Sequence, residues 1–362
     1  MSSSVASAEP TDLFDFVVKQ GNGVKGLSQL DLKTVPELYI QPPEGRLDKN
    51  LIVQEESIPV IDVSNFDDPK VSDSICEAAS KWGFFQIINH GIPLEVFENL
   101  KEAAHRFFAL PNEERKKYLK ENSPTPTVQL KTSFSPLAEK VLEWKDFLVH
   151  HYVPEDGEGS KFWPSVSREQ VLEYMKWTQP LIKKLLVVLL KGLNVKEIDE
   201  AKLSLLMGVL FVNLIHYPKC PNPELTSGAG PHSDVSSVTV LLQDDVGGLY
   251  VKGSSKDDDD SCWIHVKPIK GALVINIGDI FQIVSNDRYK SIEHRVIVNG
   301  VKNRVSVPVF GNPLPDAVIG PFPEVLEGGE KPIYKQVAYS DYFNYFFGKE
   351  HDGKKTIEFA KI

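Results

Sequence analysis

Two histidines and one aspartate in the second half of the chain form a pattern that can bind a metal ion. His232 and Asp234 are separated by a single residue, and His294 follows further along the chain. Alternate side chains of an extended strand project from one face, so His232 and Asp234 can point together. Two imidazoles and one carboxylate form the facial ligand set of non-haem Fe(II) oxygenases, which keeps coordination positions open. The pattern therefore predicts an open iron site.

A second pair, Arg304 and Ser306, has the composition of a carboxylate clamp. The guanidinium group of Arg304 offers a planar fork of donors that matches a carboxylate. Ser306 stands two positions later in a β-rich run, so its hydroxyl faces the same way. An iron site combined with a carboxylate clamp predicts an oxygenase that uses an organic acid as cosubstrate.

The metal ligands taken alone leave a zinc hydrolase open as an alternative. Two histidines and a carboxylate also bind catalytic zinc. The Arg304–Ser306 pair favours iron, because a hydrolase has no need of a fixed carboxylate clamp beside its metal. Metal analysis of protein purified without oxygen would distinguish these two interpretations.

Composition and charge exclude several functional classes. The 362 residues are 41% hydrophobic and 25% charged, as expected for a globular protein of one large domain or two closely packed domains. No apolar stretch is long enough to span a bilayer, and the first residues lack a secretory pattern. The three cysteines fit a reducing compartment, so we expect a cytoplasmic protein. We also expect the protein to be a monomer. The net charge of −10 argues against nucleic-acid binding.

The pattern of apolar residues predicts an α+β fold with a double-stranded β-helix, or jelly-roll, core. Short β-rich runs separated by Gly, Asp and Asn occupy about 205–310, as in a double-sheet jelly roll. The predicted regions are a helical and mixed region at 1–204, the core at 205–312 and a C-terminal extension with a helix at 313–362. Helices are predicted at 73–81, 94–108, 169–193 and 341–347, strands at 58–63 and 84–88, a loop at 122–136 and a hairpin tip at 256–260.

Several longer motifs resemble the plant 2-oxoglutarate and Fe(II)-dependent dioxygenases over nearly the whole chain. They are the segments 58–62, 82–91, 217–221 and 271–279 and the Arg-x-Ser pair at 304–306. Within this family, the segments 21–27, 132–136, 143–146 and 351–355 are similar to the hydroxycinnamoyl-CoA ortho-hydroxylases. Those enzymes hydroxylate feruloyl-CoA or p-coumaroyl-CoA on the way to coumarins such as scopoletin and umbelliferone.

The resemblance implies a role for each candidate residue. It assigns Fe(II) to His232, Asp234 and His294, and the distal carboxylate of 2-oxoglutarate to Arg304, Ser306 and Tyr217. It also implies ascorbate as the reductant that rescues oxidised iron, and O₂ and a phenolic compound or acyl-CoA as substrates. The reaction expected is hydroxylation at the position ortho to the side chain of a hydroxycinnamoyl-CoA.

Candidate substrate contacts follow from strand period and from the resemblance. Phe310 lies four residues beyond Ser306, so the period of two turns it towards the metal. The opposite wall of the substrate pocket is assigned to Phe134, Leu130, Lys131 and Asn213.

Three departures from the family pattern leave the substrate open. Ile215 stands where relatives commonly have Asn, Pro231 where close relatives have Arg, and Leu130–Lys131 where many have an aromatic residue followed by Gly. Another phenolic substrate, such as a coumarin, flavonoid or alkaloid, therefore stays an alternative. So does a non-catalytic binding protein for small molecules, which a test of oxygen uptake with Fe(II) and 2-oxoglutarate would exclude.

The net charge of the protein affects how a CoA thioester could bind. A protein of net charge −10 repels the phosphates of CoA at long range, although salt screens this repulsion beyond about 10 Å. CoA binding therefore requires a local cluster of Lys and Arg, which the sequence alone does not locate.

Overall fold

The computed structural model describes residues 12–53, 56–153, 158–253 and 262–362. The predicted hairpin tip at 256–260 lies outside these ranges. In the described part of the chain, no helix combines the length and the apolar character needed to cross a membrane.

Most helices pack on the outside of a β core. They are α1 (Gly23–Leu27), α2 (Pro69–Lys81), α3 (Leu94–Ala109), α4 (Asn112–Lys116), α5 (Arg168–Gly192), α6 (Glu200–Met207), α7 (Asp279–Val284) and α8 (Tyr339–Phe347). The predicted helices α2, α3, α5 and α8 are present, and Pro180 lies inside α5 without ending it. In α3 the residues Phe97, Leu100, Ala104 and Phe107 recur at helical spacing and are buried.

The strands form two large sheets and one small pair. They are β1 (Ile52–Val53), β2 (Val60–Asp62), β3 (Phe84–Ile88), β4 (Val128–Thr132), β5 (Asp146–Tyr152), β6 (Val209–Tyr217), β7 (Ala229–His232), β8 (Val238–Gln243), β9 (Leu249–Gly253), β10 (Cys262–His265), β11 (Leu273–Ile277), β12 (His294–Val296), β13 (Arg304–Asn312), β14 (Val318–Ile319) and β15 (Val337–Ala338). The larger sheet has the order β2-β3-β11-β8-β13-β6-β5-β4 and the smaller one β1-β10-β9-β12-β7. Two mostly antiparallel sheets of this order are consistent with the predicted jelly-roll core.

The segment predicted as a loop at 122–136 contains strand β4, so that prediction is wrong in part. β4 pairs antiparallel with β5, and Val128 and Leu130 are buried while Lys131 is exposed. Three prolines, at 124, 126 and 136, dominate the composition of the segment but lie outside the strand. Tertiary pairing with β5 therefore determines the conformation of five residues whose sequence alone indicates a loop.

The core sheet extends into the region before residue 205. Strands β2 to β5 all belong to the larger sheet, next to strands from the second half of the chain. One hydrophobic cluster continues from Ile61 through α5 to Ala360. The division at 205 and 313 stays a prediction, since the packing described here is continuous across both positions.

The C-terminal segment after α8 returns to strand β7. The backbone N–H of Gly353 donates to the carbonyl of Pro231 at 3.1 Å. Pro231 is the residue directly before His232. The Lys354 ammonium donates to the side chain of Gln282 at 2.5 Å and to the carbonyl of Ser291. These contacts hold the end of the chain against β7, which carries His232, and against α7 and the segment that precedes β12.

Candidate active site

The structure brings His232, Asp234 and His294 together. One ligand atom of each residue lies within 4.8 Å of the others, and in the described ranges these three residues are the one group of this kind. His232 ends β7 and pairs directly with His294 of the neighbouring strand β12. The Nε2 atoms of both histidines lie 3.7 Å from Asp234 Oδ1. Three donors therefore converge on one point between the sheets.

Backbone carbonyl groups determine which ring nitrogen of each histidine faces that point. The Nδ1 atom of His232 lies 2.8 Å from the Gly230 carbonyl, and Nδ1 of His294 lies 3.3 Å from the Ile292 carbonyl. A carbonyl only accepts, so each Nδ1 carries the proton and each Nε2 keeps its lone pair for a metal. Burial first, then the neighbouring His294, holds the pKa of His232 well below its ordinary value. A neutral imidazole is the form that binds metals.

Asp234 is oriented by two buried polar side chains. The hydroxyl of Thr239 and the amide of Asn276 donate to Asp234 Oδ2 at 2.7 and 2.8 Å. Burial alone raises the pKa of Asp234, but the two histidines and these hydrogen bonds outweigh it and lower the pKa below its ordinary value. Oδ1 is left facing the histidines, so the carboxylate is presented as a single-atom ligand.

This arrangement predicts an effect of Asn276 on metal affinity. Replacing Asn276 with Ala removes a donor to Asp234 Oδ2 and is expected to weaken Fe(II) binding about tenfold to a hundredfold. Anaerobic titration with Fe(II) measures this affinity. The matched control is Asn303→Ala, whose side chain accepts from the backbone N–H of Lys219 away from the cluster. Equal affinity of both variants and the unmodified protein would contradict the role of Asn276.

Arg304 is a buried cation without an anionic partner among the described residues. Its guanidinium group donates to Ser306 Oγ at 3.1 Å and to Gln243 Oε1 at 3.4 Å, while its Nε has no hydrogen-bond partner within the described part of the chain. It stacks 4.9 Å from the centre of the Tyr217 ring and is 1% exposed. An uncompensated buried charge is costly, so the site fits a carboxylate ligand that would pair with it.

A cavity of about 600 Å³ contains both groups of residues. The register places Ser306 opposite Gln243 and Ile215, and Phe310 opposite Thr239 and Phe211. The side chains that line the cavity from the larger sheet include Phe147, Val149, Phe211, Asn213, Ile215, Leu241, Pro308 and Phe310. A largely apolar wall next to a polar site suits an aromatic substrate.

The predicted substrate residues separate into two groups. Phe310, Asn213, Lys131 and Phe134 all line the cavity that contains the three predicted metal ligands. Leu130 does not, because it is buried in the hydrophobic core on the other face of β4. Adjacent residues of a strand point to opposite faces, so Leu130 and Lys131 do not share one wall. Leu130 lines a neighbouring cavity instead, and its role as a substrate contact stays a prediction.

His351 lines the cavity and was not assigned a role from the sequence. Its ring centre lies 4.5 Å from that of His232 and 3.7 Å from that of Phe134. Its side chain is 8% exposed, and neither ring nitrogen has a hydrogen-bond partner among the described residues. It is not one of the three residues whose ligand atoms converge. The segment 351–355 was singled out only as part of the family resemblance.

A buried ion pair next to the site was also missed. Lys145 Nζ lies 2.7 Å from Glu143 Oε2, and both side chains are less than a tenth exposed. Glu143 Oε1 accepts from the backbone N–H of Gly230 at 2.5 Å. The pair therefore connects the start of β5 to β7, the strand that carries His232. The sequence points to this ion pair only through the segment 143–146, which is part of the family resemblance.

The fold and the convergent residues are shared with a known class of proteins, which comparison with known families identifies. Residues 208–313 match the model of the 2OG-Fe(II) oxygenase superfamily. Residues 58–166 match the N-terminal region described as non-haem dioxygenase in morphine synthesis. Relatives from Ipomoea batatas and Arabidopsis thaliana are identical to this chain at more than half of the aligned positions over nearly its whole length. The chain belongs to the 2OG-Fe(II) oxygenase superfamily and is a 2-oxoglutarate-dependent dioxygenase.

The similar proteins are hydroxylases of CoA thioesters. A feruloyl CoA ortho-hydroxylase of Ipomoea batatas is 58% identical over 99% of both chains. A bi-functional coumaroyl CoA and feruloyl CoA ortho-hydroxylase of the same organism is 57% identical over 100% of both chains. Feruloyl CoA ortho-hydroxylase 1 of Arabidopsis thaliana is 55% identical and covers 98% of this chain and 97% of its own.

A solved structure agrees with the computed fold. The crystal structure of JOX2 in complex with 2OG, Fe and JA has a TM-score of 0.81 and is 35% identical. It covers 94% of this chain and 97% of its own. The structural likeness therefore extends through the core and the elements packed on it.

Proposed function

We propose that this protein hydroxylates the ortho position of a hydroxycinnamoyl-CoA, feruloyl-CoA or p-coumaroyl-CoA, in a reaction that consumes 2-oxoglutarate and O₂. The observation that carries the proposal is the identity of 55% to 58% with feruloyl and coumaroyl CoA ortho-hydroxylases over the whole chain. The convergence of His232, Asp234 and His294 next to a buried, unpaired Arg304 supports it. After isomerisation of the side-chain double bond, the new ortho hydroxyl oxygen would attack the thioester carbonyl, so that a lactone C–O bond forms, the C–S bond breaks, and free CoA leaves together with the coumarin.

The residues present fit an iron ion and 2-oxoglutarate. His232, Asp234 and His294 would hold the metal through Nε2, Oδ1 and Nε2, since these atoms already face one another. Bound Fe(II) would supply oxygen activation, with 2-oxoglutarate as the source of two electrons. The protein would contribute the binding and orientation of both substrates and the exclusion of water.

The carboxylate of 2-oxoglutarate farther from the metal is assigned to Arg304, Ser306 and Tyr217. The Arg304 guanidinium and the Ser306 hydroxyl already share a hydrogen bond, so both are oriented towards the same point. Tyr217 packs its ring against Arg304 and restricts where the guanidinium points. Ile215 is paired with Ser306 in the sheet and gives this part of the cavity an apolar surface where relatives commonly have Asn.

The apolar walls are assigned to the aromatic ring of the substrate. Phe310 and Phe211 are paired across β13 and β6, and Phe134 lines the same cavity. Flat apolar side chains in the wall of the cavity suit a planar phenolic ring and exclude water from the reacting carbon.

An activity panel tests the proposal. Iron-reconstituted protein is incubated with 2-oxoglutarate and, separately, with feruloyl-CoA, p-coumaroyl-CoA, free ferulic acid, a flavonoid and a coumarin. We expect succinate and a coumarin product from at least one CoA thioester and little product from the free acid. Turnover of a free phenolic compound but of neither thioester would move the assignment to the alternative phenolic class. Iron-loaded protein that consumes no oxygen with any compound would favour a non-catalytic binding protein.

Three expectations from the sequence stay predictions. They are ascorbate as the reductant, a monomeric state and a cytoplasmic location.

A further inference from the structure

A second cavity, which we call the outer cavity, lies beside the one that contains the metal ligands. It has a volume of about 590 Å³. Both cavities are lined by Gln129, Lys131, Phe134, Phe343 and Phe347, so these side chains form the boundary between them. Residues 119–121 and 135–138 also line the outer cavity. A substrate too long for one cavity could therefore continue past Lys131 into the other.

Three cations line the outer cavity without a carboxylate partner among the described residues. Lys120 and Lys131 form no ion pair within 4 Å, unlike Lys116 and Lys117, which pair with neighbouring glutamates of the same turn. The Lys131 side chain is solvent-accessible, but desolvation by the protein atoms around its ammonium group, and then repulsion by Lys120, lower the pKa of Lys131, so the two ammonium groups act on each other. Neighbouring like charges in a cleft favour an anionic ligand.

Arg115 is the third cation and the most buried. It is 2% exposed, and among the residues that the structure describes its Nε has no hydrogen-bond partner and its one side-chain hydrogen bond goes to Asn112. Burial lowers its pKa, with Asp146 as a partial compensation. A buried guanidinium group that lines a cavity with unused donor capacity is suited to a ligand with acceptor oxygens.

The carboxylates of the outer cavity compensate these cations only in part. Asp146 lines it, but its two oxygens accept the backbone N–H groups of Val24 and Lys25 at 2.9 and 2.7 Å. Glu121 is exposed and also lines the cavity. The cavity thus carries three cations against two carboxylates, one of which is already hydrogen-bonded, in a protein whose net charge is −10. The local charge is opposite in sign to the charge of the whole protein.

The sheet register gives the direction of the outer cavity relative to the carboxylate clamp. Ser306, Ile215, Phe147 and Lys131 are successive partners across β13, β6, β5 and β4. Neighbouring strands lie about 4.8 Å apart, so Lys131 is roughly 14 Å from Ser306 along this row. Lys131 therefore lies at the far end of the site from the 2-oxoglutarate clamp, at the edge strand of the sheet.

We infer that the outer cavity binds the phosphate-bearing end of a CoA thioester, with Lys120, Lys131 and Arg115 as its cationic contacts. This inference rests on the proposed function and specifies the part of the substrate that the metal-containing cavity does not hold. The acyl group occupies the cavity with the metal ligands, and the neutral arm of CoA passes the boundary at Lys131.

Binding of coenzyme A itself tests the inference without turnover. Calorimetry under anaerobic conditions is expected to show coenzyme A binding to the full chain. Lys120→Ala and Lys131→Ala should each weaken it about tenfold, because each removes one charge-assisted contact. The control Lys117→Ala removes an exposed lysine that pairs with Glu114, and its affinity should be unchanged. No binding of coenzyme A, or equal affinity of all variants, would overturn the inference.

A comparison of two thioesters gives a second readout. Feruloyl-CoA and the N-acetylcysteamine thioester of ferulic acid share the acyl group, but the second has no phosphates. Lys120→Ala changes a residue that lines the outer cavity and not the cavity with the metal ligands, so it is expected to raise KM for feruloyl-CoA about tenfold and to leave KM for the short thioester unchanged. Equal changes for both thioesters would overturn the inference. Turnover of neither, together with lysine-dependent binding of coenzyme A, would instead contradict the proposed reaction and support the CoA site.

Discussion

Replacing Asp234 with Ala is expected to abolish turnover and to prevent stable iron binding. Asp234 is the one carboxylate among the three convergent residues, and its Oδ1 faces both histidines at 3.7 Å. Without it the site offers two neutral imidazoles, and the positive charge of the metal is left uncompensated in a buried place. We expect a loss of turnover of at least about a thousandfold, because metal catalysis contributes several kcal/mol.

The measurement combines iron content after anaerobic reconstitution with succinate formation. His232→Ala is expected to behave in the same way, since it removes one of the two Nε2 donors. The control is His265→Ala on β10, whose ring packs on Tyr250 and does not line the site. Circular dichroism confirms that each variant is folded. An Asp234→Ala protein that retains iron and turnover would show that the metal is bound elsewhere.

Replacing Arg304 with Ala is expected to raise KM for 2-oxoglutarate about a hundredfold. Arg304 is buried, carries no anionic partner among the described residues and hydrogen-bonds Ser306. It is therefore prepared to form two charge-assisted hydrogen bonds to a carboxylate, and both are lost in the variant. Arg304→Lys keeps the charge but not the planar fork, so a smaller increase of about tenfold is expected.

Succinate formation at increasing 2-oxoglutarate concentration measures this KM. The control Arg288→Ala removes a partly exposed arginine that pairs with Glu330 and should leave KM unchanged. The KM for the aromatic substrate should change little in Arg304→Ala, because the clamp contacts the cosubstrate. An unchanged KM for 2-oxoglutarate would place the carboxylate clamp on other residues.

The sequence was sufficient where the signal is local and periodic. Strand β3 lies at the predicted residues 84–88, which form a short and mostly apolar run. Helix α3 extends only one residue beyond the predicted end, since its apolar residues recur at helical spacing. The convergence of His232, Asp234 and His294 also followed from strand period and the resemblance. Their pairing across β7 and β12 explains how residues distant in sequence become neighbours.

The sequence was insufficient where long-range packing decides. The prolines around strand β4 predict a loop, but the pairing of β4 with β5 outweighs them and a strand forms. The alternation of buried Leu130 with exposed Lys131 depends on the same strand, so the sequence alone does not reveal it. His351 reaches the site only because Gly353 and Lys354 hold the C-terminal segment against β7 and its neighbours. No local pattern reports such contacts.

Labelling with ¹⁸O₂ tests most directly that the chain couples oxidation of 2-oxoglutarate to hydroxylation of a hydroxycinnamoyl-CoA. In this reaction one atom of O₂ enters succinate and the other enters the aromatic ring, where ring closure retains it in the coumarin. Mass spectrometry after a reaction in ordinary water is therefore expected to find one labelled atom in each product, in equal amounts. A coumarin without the label, or a coumarin formed without labelled succinate, would contradict this coupling.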